Sequence, residues 1–83
     1  MTNTIALLAY ESKKDNLVEF VKKHQVVLSR YQLIAPEDTA QYLLQKTTIE
    51  INSVLPISLG GDAQIAAEIA PGNIIAVICL VDY

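Results

Sequence analysis

The chain has 83 residues, of which 52% are hydrophobic and 18% charged, and its formal net charge is −3 at pH 7. This length predicts a single domain over residues 1–83, and the acidic balance argues against nucleic acid as a partner. One cysteine, Cys79, excludes a disulfide scaffold. The longest apolar run has eight residues, whereas a membrane span needs roughly 20. With no signal-peptide pattern either, the sequence predicts a cytoplasmic protein without a membrane contact.

The first half of the chain alternates apolar runs with helical periods. Residues 4–10 are almost continuously apolar, which predicts a strand covered on both faces. A helix begins at Asp15 or Asn16 and ends near residues 29–30. Residues 31–35 predict a second strand, and Pro36 takes the first position of a second helix. The predicted apolar faces of these two helices are Leu17, Phe20, Val21, His24, Val27 and Leu28, then Ala40, Leu43 and Leu44.

The second half of the chain repeats this alternation. Residues 49–55 predict a third strand, which Pro56 ends. A third helix follows Gly60-Gly61 and stops at residues 71–73. The last strand begins at Ile74 and ends at Val81, and its composition predicts full burial. Short connections between these elements predict an α/β fold with a small parallel four-stranded sheet in β-α-β-α-β-α-β order. The predicted inner face of the third helix is Ile65, Ala66, Ile69 and Ala70.

Ligands of open parallel sheets bind beyond the carboxyl ends of the strands. There, two glycines precede Asp62 and permit close approach of a backbone to a ligand. Asp62 is either a helix N-cap, worth about 1 kcal/mol, or a general base, and the two roles are compatible. His24 lies too far away to assist, and Cys79 is predicted to be a packed, inert thiol. No cluster of residues has the spacing of metal ligands, so the sequence predicts neither a metal nor a cofactor.

Residues 5–9, 13–21 and 27–30 form a first strand and helix of a characteristic pattern, and Leu59-Gly60-Gly61-Asp62-Ala63-Gln64-Ile65 follows them. These segments resemble methylglyoxal synthase: the first three resemble the first strand and helix of that enzyme, and the last resembles its Leu-Gly-Gly-Asp-x-Gln-Ile signature. Residues 69–74, the hydrophobic strand after them and Asp82 continue the likeness, which covers essentially all 83 residues. The resemblance implies a methylglyoxal-synthase-like, doubly wound fold that lacks the fifth strand of the family.

The family enzyme converts dihydroxyacetone phosphate to methylglyoxal and phosphate without a metal. The resemblance implies that Asp62 takes the carbon-bound proton and that Lys14 and Thr39 contact the phosphate. Tyr10 replaces the loop histidine of the family, and residues 36–40 replace its Thr-Gly-Thr-Thr-Gly loop. The catalytic histidine and second aspartate of the family would lie beyond Tyr83. The implied ligand-binding residues are Tyr10, Lys14, Thr39, Gly60, Gly61 and Asp82.

The replaced loop brings Glu37 and Asp38 to the implied phosphate position. A like charge about 4 Å from a phosphate costs roughly 4 kcal/mol per unit charge at an effective dielectric of about 20. One lysine does not offset two such charges, so the predicted affinity for phosphate is poor.

Three functions remain open from the sequence. The first is a binding or regulatory domain, with a small phosphorylated metabolite as its ligand. The second is a working methylglyoxal synthase with Asp62 as base. The third is an assembly subunit, because the strand order that the resemblance implies, three-two-one-four, leaves the strand from Ile74 to Val81 as a sheet edge without charge or proline, and such edges pair with other chains. The non-catalytic hypotheses are favoured, with a homo-oligomer or a protein partner bound through that strand.

Overall fold

Four parallel strands and the helices between them make up the fold. The computed structural model describes residues 3–54, 59–69 and 72–81, with the backbone alone at positions 62, 68 and 69. The strands form one sheet in the order β3-β2-β1-β4, which confirms the predicted α/β architecture. The elements are β1 (Thr4–Ala9), a 3-10 turn (Glu11–Lys13), α1 (Lys14–Lys23), α2 (Gln25–Leu28), β2 (Gln32–Pro36), α3 (Glu37–Lys46), β3 (Asn52–Val54), α4 (Gly61–Ile69) and β4 (Ile74–Leu80).

Helices cover both faces of the sheet, which explains why β1 is apolar throughout. Successive strand residues point to opposite faces. Leu7 packs in one cluster with Leu17 of α1 and Leu43 of α3. Ala6 packs in a second cluster with Ile65 of α4. The sheet is therefore doubly wound, as the resemblance implied.

All three strand pairings are parallel, so the carboxyl ends of the strands share one edge. Ile5 lies opposite Leu33 of β2 and Ala76 of β4. The β1–β4 register shifts between Thr4 and Ile5, and Ile75 is the additional residue. The turn that follows β1 and the start of α3, which follows β2 directly, consequently lie next to each other at the carboxyl edge.

The first predicted helix is interrupted at His24, where φ is −113° and ψ is 21°. α1 begins at Lys14, directly after the 3-10 turn, and ends at Lys23. The interruption changes which residues face inward beyond it. Val27 and His24, expected on the inner face, are exposed, and the His24 ring instead packs against Phe20 at a centroid distance of 4.7 Å.

The inner faces of α3 and α4 also differ from those predicted. Pro36 ends β2 and is the N-cap of α3, with a ψ of 149° that excludes it from the helix. Leu44 is exposed, and Thr39 is buried in its place. Ala66 is exposed although Ile65 is buried. The side chain of Ile69 and the whole of Ala70 lie outside the described residues.

β4 was predicted to be fully buried, and this prediction is wrong. Among the described strands it lies at the edge of the sheet, with β1 as its one neighbour. Ile75 is 53% and Val77 39% exposed, and Cys79 is an exposed free thiol rather than a packed one.

The described helices include none with the length and hydropathy needed to cross a membrane.

Candidate functional site

Lys14 is the centre of a charged cluster at the carboxyl edge of the sheet. It begins α1, and only 14% of its side chain is exposed. Its Nζ lies 3.0 Å from Oε2 of Glu11 and 3.6 Å from Oδ2 of Asp38. We refer to Lys14, Glu11 and Asp38 as the Lys14 cluster. One cation between two carboxylates gives this cluster a formal charge of −1.

The two carboxylates stabilise the charged form of the lysine. The hydrogen bond with Glu11 is the main cause that raises the pKa of Lys14, and the negative charges of Glu11 and Asp38 act in the same direction. Partial burial lowers the pKa of Lys14, but by less than the hydrogen bond with Glu11 raises it. Lys14 is therefore fully protonated at neutral pH, and its charge is neutralised from within the protein.

Tyr42 of α3 connects this cluster to the helix beside it. Its hydroxyl donates a hydrogen bond to Oδ1 of Asp15 in α1. The Nζ atoms of Lys14 and Lys46 lie 6.0 and 5.7 Å from the centroid of its ring, within the range of cation–π attraction. These contacts join α1 to α3 and hold Lys14 close to Asp38.

Thr39 lies in the first turn of α3, one residue after Asp38. Its side chain is buried, with 1% exposure, and its Oγ1 makes no hydrogen bond within the described part of the chain. The N-cap residue, Pro36, supplies no side-chain hydrogen bond to the helix end. A buried hydroxyl without a partner is costly, by about 1–3 kcal/mol. The structure thus brings Lys14 and Thr39 to the same edge, as predicted. Asp38, the residue directly before Thr39, is the one that contacts Lys14.

The glycine pair forms the turn that begins α4. Gly60 has a φ of +95°, a conformation that favours glycine, and its carbonyl accepts a hydrogen bond from the Gln64 amide at 2.9 Å. Because α4 begins at Gly61, Asp62 lies inside the first turn, and the N-cap prediction for Asp62 is wrong. The Asp62 side chain and the whole of Asp82 lie outside the described residues, so their roles stay predictions.

Tyr10 lies where β1 ends, beside the end of β4. Its amide donates to the carbonyl of Leu80 at 3.0 Å, and its own carbonyl accepts from the Lys13 amide at 2.8 Å. The side chain of Tyr10 is exposed. The backbone of this residue therefore fixes the turn that presents Lys14.

The cavities between the described residues lie outside the predicted set, and two of them flank β4. One, of about 370 Å³, opens at the carboxyl end of β4 and is lined by Lys13, Asn16, Cys79, Leu80 and Val81. The other, of about 380 Å³, lies between α4 and the sheet and is lined by Thr4, Ile34, Val54, Gln64, Ile65, Asn73 and Ile74. None of the site residues predicted from the sequence lines either of these two cavities. Sequence reasoning also missed Glu11, although its spacing of three residues from Lys14 is the signal of a helical ion pair.

No group of three or more histidine, cysteine, aspartate or glutamate side chains within residues 3–54, 59–69 and 72–81 could hold a metal ion.

Several proteins are similar in sequence to this chain. An uncharacterized protein of Synechocystis is 46% identical over 82 residues, which are 99% of this chain and 19% of that protein. The methylglyoxal synthases of Borrelia garinii and Thermus thermophilus are 43% and 41% identical. These alignments cover 93% and 94% of this chain, and 61% and 62% of the two enzymes. This chain therefore spans about three fifths of the length of the enzymes that it matches.

A solved structure gives the same result for the fold. The crystal structure of methylglyoxal synthase from Elizabethkingia anophelis superposes with a TM-score of 0.93 at 38% identity, over 98% of this chain and 53% of that one. The sequence model of the MGS-like domain matches residues 16–83. With the fold, the glycine turn and the sequence relatives in agreement, the chain belongs to the MGS-like domain family.

Proposed function

We propose that this chain is a non-catalytic MGS-like binding module. The observation that carries the proposal is the Lys14 cluster. The lysine that the resemblance implies as the phosphate contact is already paired with Glu11 at 3.0 Å and with Asp38 at 3.6 Å. A cluster with a formal charge of −1 repels a phosphate, which is close to a dianion near neutral pH.

Binding of a phosphorylated metabolite at Lys14 would require Asp38 to leave the lysine. Asp38 follows directly on Glu37 in the first turn of α3, which therefore offers two carboxylates, and the N-cap residue, Pro36, has no backbone N–H to donate. The attraction of the helix N-terminus for an anion is worth only about 0.3–1 kcal/mol. We therefore expect the dissociation constant for a simple phosphate monoester to lie above about 1 mM, which corresponds to a binding free energy weaker than about 4 kcal/mol.

The relative from Synechocystis supports use as a module. The region that matches this chain makes up 19% of that protein, so there the domain is one part of a much longer chain. A domain in that setting needs a pocket that binds a ligand or a partner, and it does not need a catalytic base. The cytoplasmic location expected from the composition stays a prediction.

One set of observations favours the alternative, a working methylglyoxal synthase. Relatives with that name are about 40% identical, and the Gly60 turn leads into the helix that carries Asp62, as the Gly-Gly-Asp signature requires. In this alternative Asp62 is the base that takes the carbon-bound proton of dihydroxyacetone phosphate. Thr39, with its unpaired buried hydroxyl, would then donate to a phosphate oxygen.

Formation of methylglyoxal from dihydroxyacetone phosphate separates the two functions. The 83-residue chain and its Asp62→Asn variant are assayed together, with thermal unfolding as the check that both are folded. The proposal predicts that neither forms methylglyoxal faster than buffer does. A rate above buffer that the Asp62→Asn substitution abolishes would establish the synthase and overturn the proposal.

A further inference from the structure

α2 presents an exposed apolar surface that the fold does not use. Val26 and Val27 are 74% and 52% exposed, and Val26 is the most exposed large hydrophobic side chain in the described part of the chain. Leu28 is buried in the core and attaches the helix to it. Apolar residues scattered singly on a surface need no explanation. Two adjacent ones on one helical turn form a continuous apolar surface that a partner can cover.

Basic residues flank the two valines along the chain. Residues 22–31 contain three basic residues and no acidic one, whereas the rest of the chain contains three basic and nine acidic residues. The three, Lys22, Lys23 and Arg30, are exposed and form no ion pair within the described part of the chain. The dipole of α1 explains the two lysines in its last turn, but α2 has a single turn and gives no such reason for Arg30. We refer to Lys22, Lys23, Val26, Val27 and Arg30 as the α2 patch.

The structure holds α2 in one orientation. Residues three or four apart share a helical face, and the Arg30 amide donates to the Val27 carbonyl at 3.1 Å, so Arg30 lies beside both valines. Gln25 lies on another face, where its Nε2 donates to Oγ1 of Thr48 at 2.7 Å. This contact and the buried Leu28 side chain fix the helix on the domain, so a partner does not have to order the patch when it binds.

We propose that the α2 patch binds an acidic segment of a partner protein. The apolar side chains of that segment cover the two valines, and its carboxylates pair with the three basic residues. α1 begins at Lys14 and ends at Lys23, and its ten residues at 1.5 Å each put the patch about 15 Å from the Lys14 cluster. The inference therefore goes beyond the proposed function, which concerns that cluster, and does not depend on it.

Charge and surface chemistry favour a protein segment over other anions. Nucleic acid binds basic residues chiefly through its phosphates, which leaves the valines uncovered. Attachment to an anionic membrane requires more apolar surface than two valines offer, because even a single myristoyl chain binds only marginally. A protein segment supplies carboxylates and apolar side chains together. The acidic Lys14 cluster lies farther from the patch than the Debye length of about 8 Å at physiological ionic strength, so it does not cancel the attraction.

Selection from a random peptide library tests the chemistry of the partner. Short peptides displayed on phage are selected on the 83-residue chain and, in parallel, on the double variant Val26→Ser/Val27→Ser, with thermal unfolding as the check that both are folded. We expect the parent chain to select peptides with an excess of acidic and apolar residues over the starting library, and the double variant to bind them at least about tenfold more weakly. No selection, selection without an acidic excess, or equal binding to both chains would overturn the proposal.

Single charge variants separate the patch from the overall charge and remain decisive if the double variant fails to fold. Arg30→Gln and Lys13→Gln each remove one positive charge, but Lys13 lies in the 3-10 turn at the opposite edge of the sheet. We expect Arg30→Gln to weaken the binding of a selected peptide about two- to fivefold and Lys13→Gln to leave it unchanged. Equal effects of the two substitutions would contradict a site on α2.

Two further measurements show where the peptide binds and whether a membrane competes for the patch. The NMR shifts of backbone amides on addition of a selected peptide should be largest in residues 22–31, and larger shifts elsewhere would count against the proposal. Vesicles of phosphatidylserine and phosphatidylcholine should not sediment the parent chain. Sedimentation that the Val26→Ser/Val27→Ser substitutions abolish would assign the patch to a membrane instead and overturn the proposal.

Discussion

Removing the charge of Asp38 should make the Lys14 ammonium available to bind an external anion. Asp38→Asn keeps the size of the side chain and removes the carboxylate 3.6 Å from the Lys14 Nζ. Glu11 then remains as the only partner of the lysine within the described cluster, and the formal charge of the cluster rises from −1 to zero. We expect inorganic phosphate to bind this variant more tightly than it binds the parent chain.

The size of the gain follows from the charges. A dianion about 4 Å from a carboxylate is repelled by about 2 kcal/mol at the dielectric constant of water. Half of the Asp38 side chain is exposed, so the solvent-screened value applies rather than the larger one for a buried pair. Ionic strength near 0.1 M lowers the repulsion to about 1.4 kcal/mol, which is about tenfold in affinity.

Titration with inorganic phosphate, followed by NMR shifts of backbone amides in α1 and α3, measures this gain. Glu37→Gln is the matched control, because Glu37 lies in the same turn and forms no ion pair among the described residues. We expect that control to gain less than about threefold, since its charge is not held beside the lysine. Equal gains for the two variants would refute the reasoning, as would a parent chain that binds phosphate below 1 mM.

Three further predictions concern the fold and the turn. Leu43→Ala should lower the free energy of unfolding in urea by about 2–5 kcal/mol, because Leu43 is 1% exposed. The control Leu44→Ala, 52% exposed, should change it by less than about 0.5 kcal/mol, and similar losses would refute the observed face of α3. The hydrogen bond to Asp15 raises the pKa of Tyr42 above its ordinary 10.0, so its stabilisation is complete below pH 10.0 and is lost as pH rises through the folded pKa. Tyr42→Phe should therefore make unfolding in urea less dependent on pH above 10, and an unchanged pH dependence would contradict this. Gly60→Ala should cost about 1–2 kcal/mol in the same urea measurement, through the backbone alone, because a Cβ there meets nothing within 4 Å, and an unchanged stability would contradict the left-handed turn.

The fold could be predicted because its signals are local. The apolar run of β1 reflects burial on both faces, and the glycine turn marks the start of α4 closely. The interruption at His24 has a weak local signal, since Val26 and Val27 are β-branched and poor in helix propensity. The apolar residues continue at helical spacing through this point, and this stronger pattern predicted one continuous helix.

Exposure of β4 could not be predicted from the strand itself. A run of apolar residues is typical of a central strand, whereas the order of the described strands gives β4 one neighbour among them, β1. Strand order is a tertiary property. The prediction of a packed Cys79 thiol was wrong for the same reason, because it was based on the apolar composition of the strand, and the thiol is exposed.

The site was predicted in part for a similar reason. Lys14 and Thr39 follow strands that are neighbours and parallel, so the common edge brings them together. The ion pair between Lys14 and Asp38 depends on how α1 packs against α3, which Tyr42 and Asp15 fix across 27 residues of sequence. No pattern along the chain carries that information.

A crystal structure of this chain grown with dihydroxyacetone phosphate tests the central claim most directly. The distances from the Lys14 Nζ to the carboxylates of Glu11 and Asp38 decide the outcome. We expect both ion pairs to remain, at close to 3.0 and 3.6 Å, without a phosphate group on the lysine. A phosphate bound to Lys14 and Thr39, with Asp38 turned away, would contradict the account.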